Sequence, residues 1–254
     1  MARELGALAV LVDGDNASPK VVSGLLAEVA NYGIANVKRV YGDWTLPNLN
    51  GWKECLLEHS LQPIQQFAYT SGKNATDGAM IIDAMDLLYT GRFAGFCLVS
   101  SDSDFTRLAA RIREQGVNVY GFGERKTPRP FITACDKFIY FDVLEAEAPS
   151  GASIGEQPKA PPNLQAASAP TKLDKATLKR LTAAVQASAD EDGRANLGQV
   201  GTHMAKQLPD FDARNYGFAR LSDLAKASGI MDVERGSGAS TAVFVKLRSK
   251  QPRG

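Results

Sequence analysis

Over the first 145 residues, short apolar runs alternate with longer amphipathic segments, and this rhythm constrains the fold more than any other feature. ALAVLV (7–12), NVKRVYG (36–42), LQPIQQFAY (61–69), FCLVSS (96–101), VNVYGFG (117–123) and KFIYFDVL (137–144) read as strands. Between them, SPKVVSGLLAEVANYG (18–33), NGWKECLLEHS (50–60), NATDGAMIIDAMDLLYTG (74–91) and DFTRLAARIREQG (104–116) carry helical spacing, the third with Asn74 or Thr76 as cap. Strands separated by helices predict β-α-β units, hence a doubly wound α/β architecture with a mostly parallel sheet covered on both faces.

The alternation stops near residue 146. EAPSGASIGEQPKAPPNLQAASAPT (147–171) is rich in Ala, Pro, Ser and Gly and poor in large apolar residues. Such a segment cannot bury enough surface to offset its ordering entropy and reads as a flexible linker. Two domains follow, 1–146 and 172–248, with a short basic tail. Charge divides at about the same place: residues 1–150 hold 14 Lys and Arg against 18 Asp and Glu, a net of −4, and the remainder hold 15 against 10, a net of +5. An acidic half suits a cation and a basic half an anionic polymer. The three cysteines (Cys55, Cys97, Cys135) form no CxxC pair, and their odd number argues against a disulfide framework. Only two histidines are present, His59 and His203 in different regions, which disfavours a His/Cys zinc site. The apolar stretch after the N-terminus is short and runs into carboxylates, unlike a signal peptide or a membrane span, so a cytoplasmic protein without membrane association is expected.

In open parallel sheets, sites form beyond the carboxyl ends of the strands. Asp13 and Asp15, in LVDGDN, follow the first strand; Asp77 lies in the first turn of the helix after the third; Asp102 and Asp104, in SSDSDF, follow the fourth. Each has a plain structural reading as well. Gly14 can turn the chain while Asp15 or Asn16 caps the next helix, Asp77 suits a helix N-terminus, and Asp104 can be a cap. Taken jointly, carboxylates at three strand ends call for a cation, and an all-oxygen ligand set selects Mg²⁺ or Mn²⁺. Asp83 and Asp86, further along the same helix, read as solvated, with an approach of either to the site from one turn on as the other reading.

DGDN, KNATDGAMIIDAMDLLY and LVSSDSDFTRLAARIREQGVNVYGFG, in that order and followed by ITACDKFIYFD, resemble the NYN family, a branch of the PIN-like metal-dependent ribonucleases. The resemblance implies a PIN-like fold and an acidic cluster that binds Mg²⁺ or Mn²⁺ and hydrolyses RNA phosphodiesters. It implies metal ligation by Asp13, Asp77, Asp102 and Asp104, a site-ordering role for Asn16, and a place for Lys73 near a phosphate or an acid. Ser100 and Ser101 become hydrogen-bonding supports. Many relatives read Ser-Gly-Asp where this chain has Ser-Ser-Asp, which adds a side chain where the backbone turns.

LGQVGTHMAKQLPDFDARNYGFARLSDLAKASGIMDVERG is similar to the LOTUS, or OST-HTH, domain, a small winged helical module implied to bind RNA or protein partners. Phe211, Tyr216, Phe218, Leu221 and Leu224 read as its core, and Gly217 as a left-handed helix end. Lys206, Arg214, Arg220 and Lys226 are candidate phosphate contacts. In the first domain, Arg125, Lys126 and Arg129 of the loop GERKTPRP (123–130) are placed to guide a single strand, and Trp44 and Tyr69 to stack on bases; a solvated or packed surface is the other reading for each. The expected partner is single-stranded RNA, with a protein partner through the second domain and a homodimer left open.

The combined expectation is a metal-dependent ribonuclease with a tethered RNA-binding module. Its alternatives are a non-catalytic RNA-binding adaptor on the same fold, and a phosphatase of the haloacid dehalogenase type. The last rests on DGDN alone, and Asn16 stands where that motif usually has Thr or Val.

Overall fold

The computed structural model describes residues 6–67, 75–145, 173–235 and 242–248. The chain divides into two compact units, Met1–Gly151 and Ala152–Gly254. Residues 147–171, read above as a linker, lie outside the described residues.

The first unit contains six strands: β1 (Ala7–Asp13), β2 (Ile34–Gly42), β3 (Gln62–Gln65), β4 (Gly95–Val99), β5 (Asn118–Gly123) and β6 (Lys137–Tyr140). They form one sheet in the order β3-β2-β1-β4-β5-β6, and every neighbouring pair is parallel. The helices are α1 (Val22–Val29), α2 (Trp52–Glu58), α3 (Ala75–Tyr89), α4 (Thr106–Glu114), α5 (Arg129–Ala134) and α6 (Phe141–Glu145).

Strand alternation sorts the core into two layers. Ala9 and Leu11 of β1 and Phe96 and Leu98 of β4 pack with α3, α4 and α5, through Met80, Leu108, Ile112 and Phe131. Leu8, Val10 and Val12 of β1 and Cys97 and Val99 of β4 pack on the other face with Val22, Leu25, Trp52 and Leu144. The central strands are therefore apolar throughout, while edge strand β3 (QPIQ) is polar. The same alternation carries Asp13, the last residue of β1, onto the face covered by α3. The strand order reverses direction between β1 and β4, the switch point at which doubly wound sheets open a crevice.

Several boundaries differ from the sequence reading. The last strand ends at Tyr140, and Phe141–Glu145 is helical, so that Phe141 and Leu144 seal the layer under α1. The basic loop is interrupted by α5, whose Phe131 and Ile132 are buried; a six-residue helix is too short to show periodicity. Strand β3 is four residues long rather than nine. Thr76 lies inside α3 rather than capping it, and Asn74 is outside the described residues.

The second unit comprises α7 (Lys175–Ala187), β7 (Arg194–Asn196), α8 (Leu197–Gln207), a 3₁₀ turn (Ala213–Tyr216), α9 (Leu221–Ala227), β8 (Met231–Arg235) and β9 (Val243–Leu247). The strands form an antiparallel sheet in the order β7-β9-β8. The expected closing strand pair is present, and β7, too short to be read from sequence, joins its outer edge. Leu181, Val185, Val200, Met204, Phe211, Leu224 and Val245 form the core, with Tyr216, Phe218 and Leu221 packed against it. Gly217 ends the 3₁₀ turn at φ 83°, as the sequence led one to expect.

Candidate active site

At the carboxyl end of β1, the chain turns immediately after a buried acid. Gly14 permits the turn: its amide donates to Tyr41 O at 2.9 Å, and a Cβ there would stand 2.8 Å from that same oxygen. Asp13 is 1% exposed. Its Oδ2 accepts from Asn16 Nδ2 (2.7 Å) and from Ser100 Oγ (2.8 Å), and its Oδ1 accepts from the Asp15 amide (3.2 Å). Burial raises the Asp13 carboxyl above its ordinary range, and the Asn16 and Ser100 hydrogen bonds act in the opposite direction.

Ser100, just past β4, is wholly buried and also accepts from the Asp102 amide at 3.1 Å. Asp102 in turn caps the 3₁₀ turn Ser103–Phe105, accepting from the Asp104 amide at 2.9 Å. The cap is thus Asp102 rather than Asp104, and Asp104 is exposed. Ser101, the residue that departs from the usual glycine, is buried and accepts from the Glu124 amide at 2.8 Å, tying the loop after β5 to β4. Ser60 is the one described non-glycine residue with positive φ, so Ser101 turns the chain without left-handed strain.

Helix α3 brings the third acid. It packs on β1, on β2 and on the 3₁₀ turn after β4. Thr76 Oγ1 donates to Asp15 Oδ2 at 3.1 Å, and Asn48 Nδ2 donates to Asp15 Oδ1 at 3.0 Å. Asp15 is therefore a tie between the β1 turn, the α3 N-terminus and the loop after β2. Asp77 is buried one residue beyond Thr76. Burial, and then the charges of Asp13, Asp102, Asp104 and Asp15, push the Asp77 carboxyl up to about 6. These acids, drawn from segments remote in sequence, thus share one electrostatic neighbourhood.

The chemistry of this donor set fits a hard divalent cation. The acids present oxygen only, and among the described residues no Lys or Arg pairs with Asp13, Asp77 or Asp102. Among the described residues, no three His, Cys, Asp or Glu side chains are arranged to hold a metal ion as they stand. The Asp13 Oδ2 accepts from two neutral donors, Asn16 and Ser100.

The remaining expected residues are more dispersed. Lys73 and Tyr69 lie outside the described residues. Arg125, after β5, donates to Asp142 Oδ2 from Nε (3.0 Å) and Nη2 (2.9 Å) and lies over the Tyr140 ring. Lys126 pairs with Glu124 at 2.9 Å, and Arg129 opens α5, exposed. Trp44 is packed: its indole Nε1 donates to Ile64 O at 3.1 Å. In the second unit, Arg214 is held by Asp212, while Lys206, Arg220 and Lys226 are exposed on or beside α8 and α9. Asp83 is part-buried and accepts from the Tyr41 hydroxyl and the Arg39 guanidinium. Asn48, Tyr41 and Arg39 were not anticipated. Nothing in a polar loop or on a half-buried strand marks its partner in advance.

The NYN domain model matches residues 7–145, the segment that builds the whole first unit described above. The chain belongs to the NYN family. NYN domains are PIN-like nucleases, and the six-stranded parallel sheet flanked by helices fits that fold. The OST-HTH/LOTUS domain model matches residues 171–243, and such modules bind RNA. This NYN protein therefore joins a nuclease-family domain to an RNA-binding module. Among solved structures, it is similar to a protein of unknown function from Vibrio parahaemolyticus, at 19% identity over 55% of this chain and 95% of that one, with a TM-score of 0.46. It is also similar to an uncharacterized protein from Nitrosomonas europaea, at 32% identity over 39% of this chain and 98% of that one, with a TM-score of 0.30. A Chromobacterium violaceum protein matches at 31% identity over 34% of this chain and 94% of that one, with a TM-score of 0.27. No curated protein matches the chain. Among the described residues, no helix is long and apolar enough to cross a membrane.

Proposed function

We propose that this NYN protein is a metal-dependent ribonuclease that hydrolyses phosphodiester bonds of single-stranded RNA, with the OST-HTH module holding the substrate. The observation that carries the reading is the link Asp13–Ser100–Asp102 across the ends of β1 and β4, beside which burial and then the charges of Asp13, Asp102, Asp104 and Asp15 raise the Asp77 carboxyl.

Asp13, Asp77, Asp102 and Asp104 would hold Mg²⁺ or Mn²⁺. When bound, such an ion supplies neutralisation of phosphate charge and a lowered pKa for water. The chain's own groups do the rest. Asn16 and Ser100 orient the Asp13 carboxylate through its Oδ2. Ser100 couples that carboxylate to the Asp102 backbone. Asp77, raised by burial and by the neighbouring acids, is the carboxyl whose proton metal uptake would displace. Exposed Asp104 lies at the solvent side of the group, where a polymer backbone has access. Lys206, Arg220 and Lys226 supply phosphate contacts from the second domain, and tethering raises the local concentration of RNA.

The test is an assay of purified protein on labelled single- and double-stranded RNA and DNA, with and without Mn²⁺, beside Asp13→Asn and Asp102→Asn. The expected result is Mn²⁺-dependent cleavage of single-stranded RNA by the parent alone, with RNA binding retained in both variants. An Asp102→Asn protein as fast as the parent would remove that ligand from the scheme. Absence of cleavage of every RNA would leave an RNA-binding adaptor on a nuclease fold.

A further inference from the structure

Two polar ties run along one edge of α3. Thr76 and Asp83 are seven residues apart, two helical turns, and so share a side of the helix. Thr76 reaches Asp15, and Asp83 reaches Tyr41 and Arg39. Tyr41 and Arg39 belong to β2, and Asp15 to the turn that follows β1 and Asp13. Between the ties, on the buried face, lie Asp77 and Met80.

Tyr41 occupies a particular place in this arrangement. It is the register partner of Asp13 in the β1–β2 ladder, and it is 0% exposed. Its backbone carbonyl receives the Gly14 amide, which fixes the turn after Asp13. Its hydroxyl donates to Asp83 on α3. One residue therefore grips both the segment that carries Asp13 and the helix that carries Asp77. Arg39, two residues earlier on the same face of β2, gives Asp83 a cationic partner. The arrangement opposes a definite force, because Asp13 and Asp77 are like charges that would separate if α3 were free to slide or roll.

We infer that Tyr41 and Arg39, acting through Asp83, are positioning residues that hold the Asp77 helix against the Asp13 strand and so set the geometry of the acidic site. The inference rests on the ribonuclease reading. It assigns a purpose to a buried phenol, a guanidinium and a carboxylate that the acid set itself does not use.

The test compares full-length parent, Tyr41→Phe, Asp83→Asn and Arg39→Lys, with Asp86→Asn on the exposed side of α3 as the control. Three quantities are read: Mn²⁺ affinity by titration calorimetry, kcat and KM on a labelled single-stranded RNA, and Tm. For Tyr41→Phe and Asp83→Asn we expect Mn²⁺ affinity and kcat to fall about tenfold with KM unchanged, the scale typical of groups that orient metal ligands. Arg39→Lys, which keeps the charge beside Asp83, should fall by less, about threefold on the same scale. Asp86→Asn should match the parent. A merely structural role would lower Tm and leave the Mn²⁺ affinity and kcat of the folded fraction within twofold of the parent, and that result overturns the inference. If Tyr41→Phe does not fold, Asp83→Asn and Arg39→Lys decide it on the same criteria. Parent protein that neither binds Mn²⁺ nor cleaves RNA would remove the proposed function and this inference together. A parent that does both, beside variants indistinguishable from it, would remove the inference alone.

Discussion

The hydroxyl of Ser100 donates to Asp13 Oδ2 at 2.8 Å, joining residues 87 positions apart in the chain. Ser100 Oγ also accepts from the Asp102 amide, so one small side chain ties the ends of both β1 and β4. The two strands are neighbours in the sheet, at the point where the strand order reverses.

Ser100→Ala therefore removes the donor to a buried carboxylate and the acceptor of a backbone amide at once. We expect a loss of about 1–3 kcal/mol in unfolding free energy, measured by urea denaturation, together with slower RNA cleavage. A variant with parental stability and rate would show the link to be idle.

Asp77 makes a prediction with a definite sign. Its folded-state pKa, about 6, lies above the ordinary 3.8, so between those values the folded chain binds the proton that the unfolded chain releases. Its contribution therefore favours folding at low pH and is lost as pH rises through about 6. Asp77→Asn should be more stable than the parent at pH 7–8, by about 1–3 kcal/mol, and the advantage should vanish below pH 4. Equal stability of the two proteins from pH 4 to pH 8 would contradict the crowding of acids around Asp77.

Divalent cations should reverse the same penalty. Mn²⁺ at about one hundred times its dissociation constant should add about 2.7 kcal/mol to the stability of the parent. Near pH 6, uptake should also release protons, seen as a calorimetric heat that changes with the ionisation enthalpy of the buffer. Asp13→Asn and Asp102→Asn should show little of either effect, and a parental thermal shift in both would place the ion elsewhere.

A fourth expectation concerns the scaffold. Trp52 is fully buried beneath the sheet face that carries Val10 and Val12. Trp52→Ala should cost about 3–5 kcal/mol, read as a lowered urea midpoint. A cost under about 1 kcal/mol would mean that this layer repacks, which close-packed interiors resist.

The sequence carried the architecture because β1 and β4 are buried on both faces and must be continuously apolar, whereas α4 shows its solvent face in every turn. Asp13 and Asp102 stand out in the sequence for a related reason: each follows closely on such a run. The supports were less visible. Asn48 lies in a polar loop, and nothing in that loop announces a bond to Asp15. Asp83 looked solvated because its partners, Arg39 and Tyr41, come from a strand more than 40 residues away. Helix α5 went unseen because two buried residues, Phe131 and Ile132, set no period. Arg125 and Arg214 looked available for phosphate from sequence, yet Asp142 and Asp212 hold them in the fold.

The span between Asp13 and Ser100 also bears on synthesis. A chain still emerging from the ribosome has completed β1, β2 and β3 before β4 exists. Until residue 100 has been added and folded, the first acid lacks one of its two side-chain donors, and the 102–104 turn has no strand to stand on. The nascent protein is thus surrounded by RNA while its own acidic cluster remains unbuilt.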